Sequence, residues 1–211
     1  MSKRAVLFAG GNLYKMPSIA AEDLVIAIDS GLEHCLTAEL KPHVVMGDFD
    51  SASAAALAWA EKQQVEFIPY PPAKDKTDTQ LAVEHAIKLG AQEIHLYGAL
   101  GSRFDHSLAN VQLLLYIAKL GAYGLVSDGR QKVYLLQDEM WLEPEAQMCF
   151  SILPLTLELE GLTIRGARYP LTDAQISLGD TRTISNEFMK QPVQLSLKKG
   201  IALVFLCPDS L

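Results

Sequence analysis

Gly47-Asp48-Phe49-Asp50-Ser51 and Lys74-Asp75-Lys76-Thr77-Asp78 decide how this chain folds. The first follows the short apolar run His43–Met46 and leads into an alanine- and leucine-rich helical pattern, Ser53–Gln63. The second follows Val65–Ile68 and a proline-rich loop, Pro69 to Pro72, and leads into Thr77–Leu89. The pattern is strand, acidic turn, helix, twice over. It places carboxylates where successive strands of an α/β sheet end, which is where such sheets bind ligands. Carboxylates gathered there among lysines point to a divalent cation holding a polyphosphate.

The same grammar extends in both directions. Ala5–Ala9 reads as a buried strand closed by Gly10-Gly11, Leu24–Ile28 as one closed by Asp29-Ser30-Gly31, Glu93–Tyr97 as one closed by Gly98, and Tyr123–Ser127 as one closed by Asp128-Gly129. Thr77 with Gln80 forms a capping-box pattern, and Gly90 stops that helix. Asp105–Leu120 carries Leu108, Val111, Leu115 and Ala118 on one face and stops at Gly121. Continuous apolar strands alternating with helices predict a mostly parallel, Rossmann-like sheet covered on both faces. After Arg130 the pattern changes to short runs split by turn residues: Lys132–Leu136, Met148–Leu153, Leu157–Leu159, Leu162–Ile164, Val193–Leu197 and Ile201–Leu206. Such spacing predicts a small antiparallel β-sandwich. The expected division is 1–129 for the α/β domain and 130–211 for the sandwich.

Bulk properties narrow the classes. The chain has 211 residues, 49% hydrophobic and 20% charged, with a formal net charge of -7. That supports a full core and argues against a long basic groove for nucleic acid. Cys35, Cys149 and Cys207 have neither CxxC nor zinc spacing, which fits reduced cytoplasmic thiols. The apolar run before Gly10-Gly11 is too short for a signal-peptide core, and no stretch approaches a membrane span.

Four constellations carry chemistry. Asp29-Ser30-Gly31 alone reads as an Asx turn opening a helix. Asp48 and Asp50 alternate around Phe49, so both carboxylates can face one side while the ring packs away; the competing reading is a solvated turn with Ser51 as the helix cap. Asp78 falls in the first turn of its helix beside Lys74 and Lys76, where free N–H groups attract anions; the competing reading is a charged loop. Gly98 to His106, with Asn110 one turn on, combines glycines that let backbone approach a ligand with Arg103, Asp105 and His106. No G-x-x-x-x-G-K-[ST] loop, kinase catalytic loop or G-x-S-x-G elbow is present. His34, His43, His85 and His95 are isolated and read as surface or core residues.

The strings DSG, GDFDS, KDKTD, GALGSRFDHSLAN and Ser185-Asn186-Glu187-Phe188 stand in an order that resembles the thiamine pyrophosphokinases, from Gly10-Gly11 to the last strands. The resemblance implies an ATP-binding α/β domain, a thiamine-binding and dimerising β-sandwich, a homodimer with active sites near the interface, and diphosphate transfer from ATP to thiamine. By the same resemblance, Asp29, Asp48, Asp50 and Asp78 are the catalytic acids, with Asp48, Asp50 and Asp78 as Mg²⁺ ligands. Lys76, Thr77, Arg103, Asp105, His106 and Asn110 serve ATP and its phosphates, and Ser185 and Asn186 serve thiamine. The family more often has a DGG-type turn at Asp29-Ser30-Gly31, and its mammalian-type members a tryptophan shortly after Ser-Asn-Glu, where this chain has Phe188. Two other classes fit the acidic turns: an aspartyl-phosphate hydrolase with Asp48 as nucleophile, and a non-catalytic nucleotide or thiamine sensor.

Overall fold

Apolar runs of four or five residues, too short for a helix and too continuous for an exposed edge, become the central strands of the first unit. The computed structural model describes residues 3–71, 73 and 75–209, and the chain divides into two compact units, Met1–Gly129 and Arg130–Leu211. Pro72 and Lys74 lie outside the described residues.

The first unit holds β1 (Arg4–Phe8), β2 (Leu24–Ile28), β3 (Val44–Gly47), β4 (Glu66–Pro69), β5 (Glu93–Tyr97) and β6 (Tyr123–Ser127). They lie in the order β6-β5-β1-β2-β3-β4, and every pair is parallel. The chain builds outward from β1 through β4, then crosses back to lay β5 on the other side of β1. That reversal opens a crevice at the strand C-termini. Helices α1 (Leu32–Thr37), α2 (Ala54–Lys62), α3 (Asp78–Lys88) and α4 (Phe104–Lys119) cover the sheet. Val6, Phe8, Val25, Ala27 and Val45 pack with Leu32 and Cys35 of α1 and with Ala56 and Ala60 of α2. Burial pushes the Cys35 thiol up to about 12, so it is an inert core group.

Local chemistry sets the helix ends. Ser53, not Ser51, caps α2, its Oγ accepting from Ala56 N–H at 3.1 Å. Thr77 caps α3, accepting from Gln80 N–H at 3.2 Å. Only half of the expected capping box forms, because the Gln80 side chain reaches forward to Glu84 at 3.3 Å. Asp105 does not cap α4; Arg103 holds the N-cap position without a side-chain cap bond, and Asp105 sits in the first turn.

The second unit holds β7 (Lys132–Leu136), β8 (Glu139–Leu142), β9 (Met148–Pro154), β10 (Glu158–Arg165), β11 (Leu171–Ser177), β12 (Asn186–Glu187), β13 (Val193–Ser196) and β14 (Ala202–Pro208). Two antiparallel layers, β12-β9-β14-β7 and β11-β10-β13-β8, enclose one core. Phe150, Ile152, Val204 and Leu206 meet Leu159, Leu162, Ile164, Ile176, Val193 and Leu195 there. The two runs expected around Leu159 and Ile164 are one strand, β10, with register shifts on either side of Leu162 and Gly161 at φ +72°. β8 and β11 were not apparent in the sequence because both are edge strands with largely polar or exposed faces.

At the end of the first unit's sheet remote from the crevice, Asp23 is almost fully buried and paired with Arg4: Arg4 Nε donates to Asp23 Oδ1 at 2.9 Å, Arg4 Nη2 donates to Oδ2, and Ala20 N–H donates to Oδ2 at 2.7 Å. Burial pushes this carboxyl up, but Arg4 and the Ala20 amide outweigh it and hold it below the ordinary range. A carboxyl lowered on folding stabilises the protein above its unfolded value, and that contribution is lost as pH falls through the folded value. Asp23→Asn should therefore cost roughly 2–3 kcal/mol at pH 7, less than a fully buried pair because Arg4 is partly solvated. Urea unfolding of both proteins should show the difference shrinking as pH falls below about 4.

Candidate active site

Loops after five of the six parallel strands line one cleft of about 670 Å³ in the first unit. Gly10 and Gly11 follow β1, Asp29 and Ser30 follow β2, Asp48 and Ser51 follow β3, Asp75 to Thr79 lead from β4 into α3, and Gly98 to Arg103 lead from β5 into α4. His106, Ser107 and Asn110 close it from α4. The cleft sits where the strand order reverses, and the N-termini of α3 and α4 contribute to its wall.

Asp29 is held in a defined place. It stands in the left-handed region (φ +46°), and its Oδ1 accepts the N–H of Phe49, itself left-handed at φ +64°, at 3.2 Å. Two non-glycine residues in that region, joined by one hydrogen bond, mark local strain of the kind held at functional sites. The carboxylate lies directly over Gly47, where a Cβ would come 1.7 Å from Oδ1. The Phe49 ring packs edge-on against Phe67 with centroids 5.5 Å apart, anchoring the turn. This geometry separates the two acids of GDFDS: Asp48 lines the cleft, while Asp50 is exposed, is not among the lining residues, and donates its backbone N–H to Asp48 Oδ1 at 3.2 Å.

The cations come with carboxylate partners. Lys76 lines the cleft and donates to both oxygens of Glu84 at 2.9 and 2.8 Å, which holds its ammonium charged above the usual lysine range. Arg103 also lines it and is held by exposed Asp105 through bonds of 3.3 and 2.7 Å, which lowers the Asp105 carboxyl. Asp105 itself is not among the lining residues. Asn110 is buried and donates Nδ2 to Ala99 O at 2.8 Å. Ser107, which the sequence did not single out, accepts from Gly101 N–H at 2.9 Å and so fastens the same loop to α4. His34 is likewise more than a surface residue: its Nε2 lies 3.0 Å from Gly11 O and ties α1 to the first glycine loop. In the second unit, Ser185 is exposed at φ +55° and donates its N–H to Ser151 Oγ at 3.0 Å. Asn186 is buried, with its amide on the backbone of Tyr169 at 2.8 and 3.1 Å.

The acids that line the cleft, Asp29, Asp48, Asp75 and Asp78, are hard oxygen donors. Among the described residues no three His, Cys, Asp or Glu side chains converge closely enough to enclose an ion by themselves. Such a donor set fits Mg²⁺, which binds through one or two carboxylates and completes its shell with water and phosphate oxygens.

Fold and cleft together define an α/β protein with an acidic, glycine-lined cleft at the strand switch point, followed by an antiparallel sandwich. Residues 17–123 match the family model for the thiamin pyrophosphokinase catalytic domain, and residues 140–202 match that for the thiamin pyrophosphokinase vitamin B1 binding domain. The chain is 30% identical over 209 residues to the thiamine pyrophosphokinase of Bacillus subtilis, covering 96% of this chain and 98% of that protein. The crystal structure of thiamine pyrophosphokinase from Bacillus subtilis superposes with a TM-score of 0.90 at 29% identity, covering 98% and 100% of the two chains. That of the Geobacillus thermodenitrificans enzyme gives 0.84 at 28% identity, covering 100% and 99%. The chain belongs to the thiamin pyrophosphokinase family.

The crowding of Asp29 on Gly47 is testable against a glycine with open surroundings. Gly47→Ala and Gly90→Ala both place alanine at positive φ (+142° and +89°), but a Cβ at Gly90 meets nothing within 4 Å. Gly90→Ala should lose about 1–2 kcal/mol in urea unfolding. Gly47→Ala should lose more and should also displace Asp29, which would appear as lost turnover in that variant alone.

Proposed function

We propose that this chain transfers a diphosphate group from ATP to the hydroxyl of thiamine, giving thiamine diphosphate and AMP. The convergence of Asp29, Asp48 and Asp78 with Lys76 and Arg103 around one cleft carries the proposal, in a chain that matches both thiamin pyrophosphokinase domains. The first unit takes ATP and performs the chemistry. The second unit takes thiamine, with Ser185 and Asn186 in its binding segment, and supports a homodimer. Three scattered thiols fit a reducing cytoplasm.

Asp48 and Asp78 would hold Mg²⁺, and Asp50, which lies outside the cleft lining, would join them only if the turn after β3 swung inward. When bound, the ion supplies positive charge against the phosphate oxygens. Thr77 fixes the start of α3, whose amides face the phosphate chain. Lys76 and Arg103 neutralise charge on the transferred group and on the departing AMP, since positioning and electrostatics dominate such transfers. Asp105 restrains Arg103, while His106 and Asn110 frame the nucleotide, Asn110 by holding the Ala99 carbonyl. Asp29, rigid over Gly47, orients the thiamine hydroxyl. A bond forms from that oxygen to the β-phosphorus, the bond between the β-phosphorus and the oxygen it shares with the α-phosphorus breaks, and AMP leaves with that oxygen and the electron pair. The hydroxyl proton passes to a carboxylate of the cleft. The same acidic wall attracts the cationic thiazolium.

Purified protein with thiamine, ATP and Mg²⁺ should form AMP and thiamine diphosphate in equal amounts. Asp48→Asn and Asp78→Asn should each lower the rate about 10²–10³-fold. Near wild-type AMP formation in both would overturn the assignment. Orthophosphate release without thiamine would mark a hydrolase, and binding without AMP a sensor.

A further inference from the structure

Glu84 lies two turns into α3, outside the cleft lining, and its carboxylate gathers three donors. Lys76 Nζ reaches both oxygens at 2.9 and 2.8 Å, Tyr116 OH of α4 reaches Oε1 at 2.7 Å, and Gln80 Nε2 reaches Oε1 at 3.3 Å. Tyr116 and Gln80 are uncharged and sit on helices, so they fix the carboxylate whether or not the lysine is there. Lys76 is the adjustable member: it stands on the loop before α3 and carries a long flexible side chain. An ammonium has three N–H donors and no acceptor. Two directions are taken by Glu84, and the third remains for an anion in the cleft that Lys76 also lines.

The pair is too exposed to matter much for stability, with the Lys76 and Glu84 side chains 43% and 27% accessible. Its effect is on geometry. A lysine held at the rim has fewer orientations to lose when a phosphate arrives, and restricting it beforehand strengthens binding. We infer that Glu84, braced by Tyr116, is a positioning residue that presents Lys76 to the phosphate chain of the nucleotide. This rests on the reading of Lys76 as a phosphate-binding group.

Steady-state kinetics on the full-length protein, varying ATP at saturating thiamine, separate the two claims. Lys76→Met should raise the KM for ATP about tenfold or more. Glu84→Gln should raise it about three- to tenfold while changing kcat less than about twofold, and Tyr116→Phe should act in the same direction more weakly. The Lys76→Met/Glu84→Gln double variant should be no worse than Lys76→Met alone, because Glu84 acts only through the lysine. An unchanged KM in Lys76→Met overturns the role of the lysine and this inference with it. An impaired Lys76→Met combined with an inert Glu84→Gln, or with additive effects in the double variant, overturns the positioning role alone. If Glu84→Gln does not fold, Tyr116→Phe in the Lys76→Met background gives the same comparison.

Discussion

The seating of the Asp29 carboxylate over Gly47 governs the rest of the cleft. Parallel strands β2 and β3 lie side by side, so their following turns must pass within one strand spacing of each other. A side chain at position 47 would fill the space that the carboxylate occupies. With glycine there, Asp29 accepts the Phe49 amide, and the bond fixes both backbones in left-handed conformations. The turn that follows β3 is thereby locked to the turn that follows β2. The half-buried Phe49 ring, edge-on against Phe67, packs behind that lock.

On the other side of the reversal, the loops after β1 and β5 are joined by backbone. Gly11 N–H donates to Gly98 O and Asn12 N–H to Leu100 O, each at 2.6 Å. A Cβ at Gly11 would meet both of those carbonyls, so the two loops close as one surface. Ser107 and Asn110 then fasten this surface to α4. The cleft therefore has one wall set by a carboxylate and another set by peptide groups. The cations Lys76 and Arg103 stand at its mouth, each restrained by an acid that does not line the cleft.

Much of the fold could be read because the first half of the chain obeys simple periodicities. Runs such as Leu24–Ile28 are apolar at every position, as strands buried on both faces must be. α1 was less visible, since six residues give too little helical period to stand out. β11 carries Leu171, Ala174 and Ile176 at uneven spacing on an edge, which hides its alternation. At the site, motif order brought Asp29, Asp48, Lys76, Thr77, Asp78, Arg103, His106 and Asn110 to attention, and all eight line one cleft. The different settings of Asp48 and Asp50 were not legible, because they depend on the left-handed Phe49, and a D-F-D string does not encode that sign of φ. Ser107 and Glu84 escaped notice because their work is done through other residues, by contacts that only folding creates.

The Ser185–Phe188 segment shows how a short motif can shape backbone as well as offer side chains. Thr183 Oγ1 donates to Ile152 O, and Ile152 N–H donates to Thr183 O at 3.0 Å, so the segment is stitched to β9 before it reaches Ser185. Ser185 turns the chain with a positive φ, and Asn186 turns inward to hold both the N–H and the carbonyl of Tyr169. Phe188 then packs on Phe150, with ring centroids 5.2 Å apart, as part of the sandwich core. The aromatic that follows Ser-Asn-Glu here is thus engaged in packing, while Tyr169, held by Asn186, stays largely exposed with Arg168 5.5 Å from its ring. In this chain the asparagine of the motif fixes the backbone position of Tyr169, an exposed ring that belongs to a different strand connection.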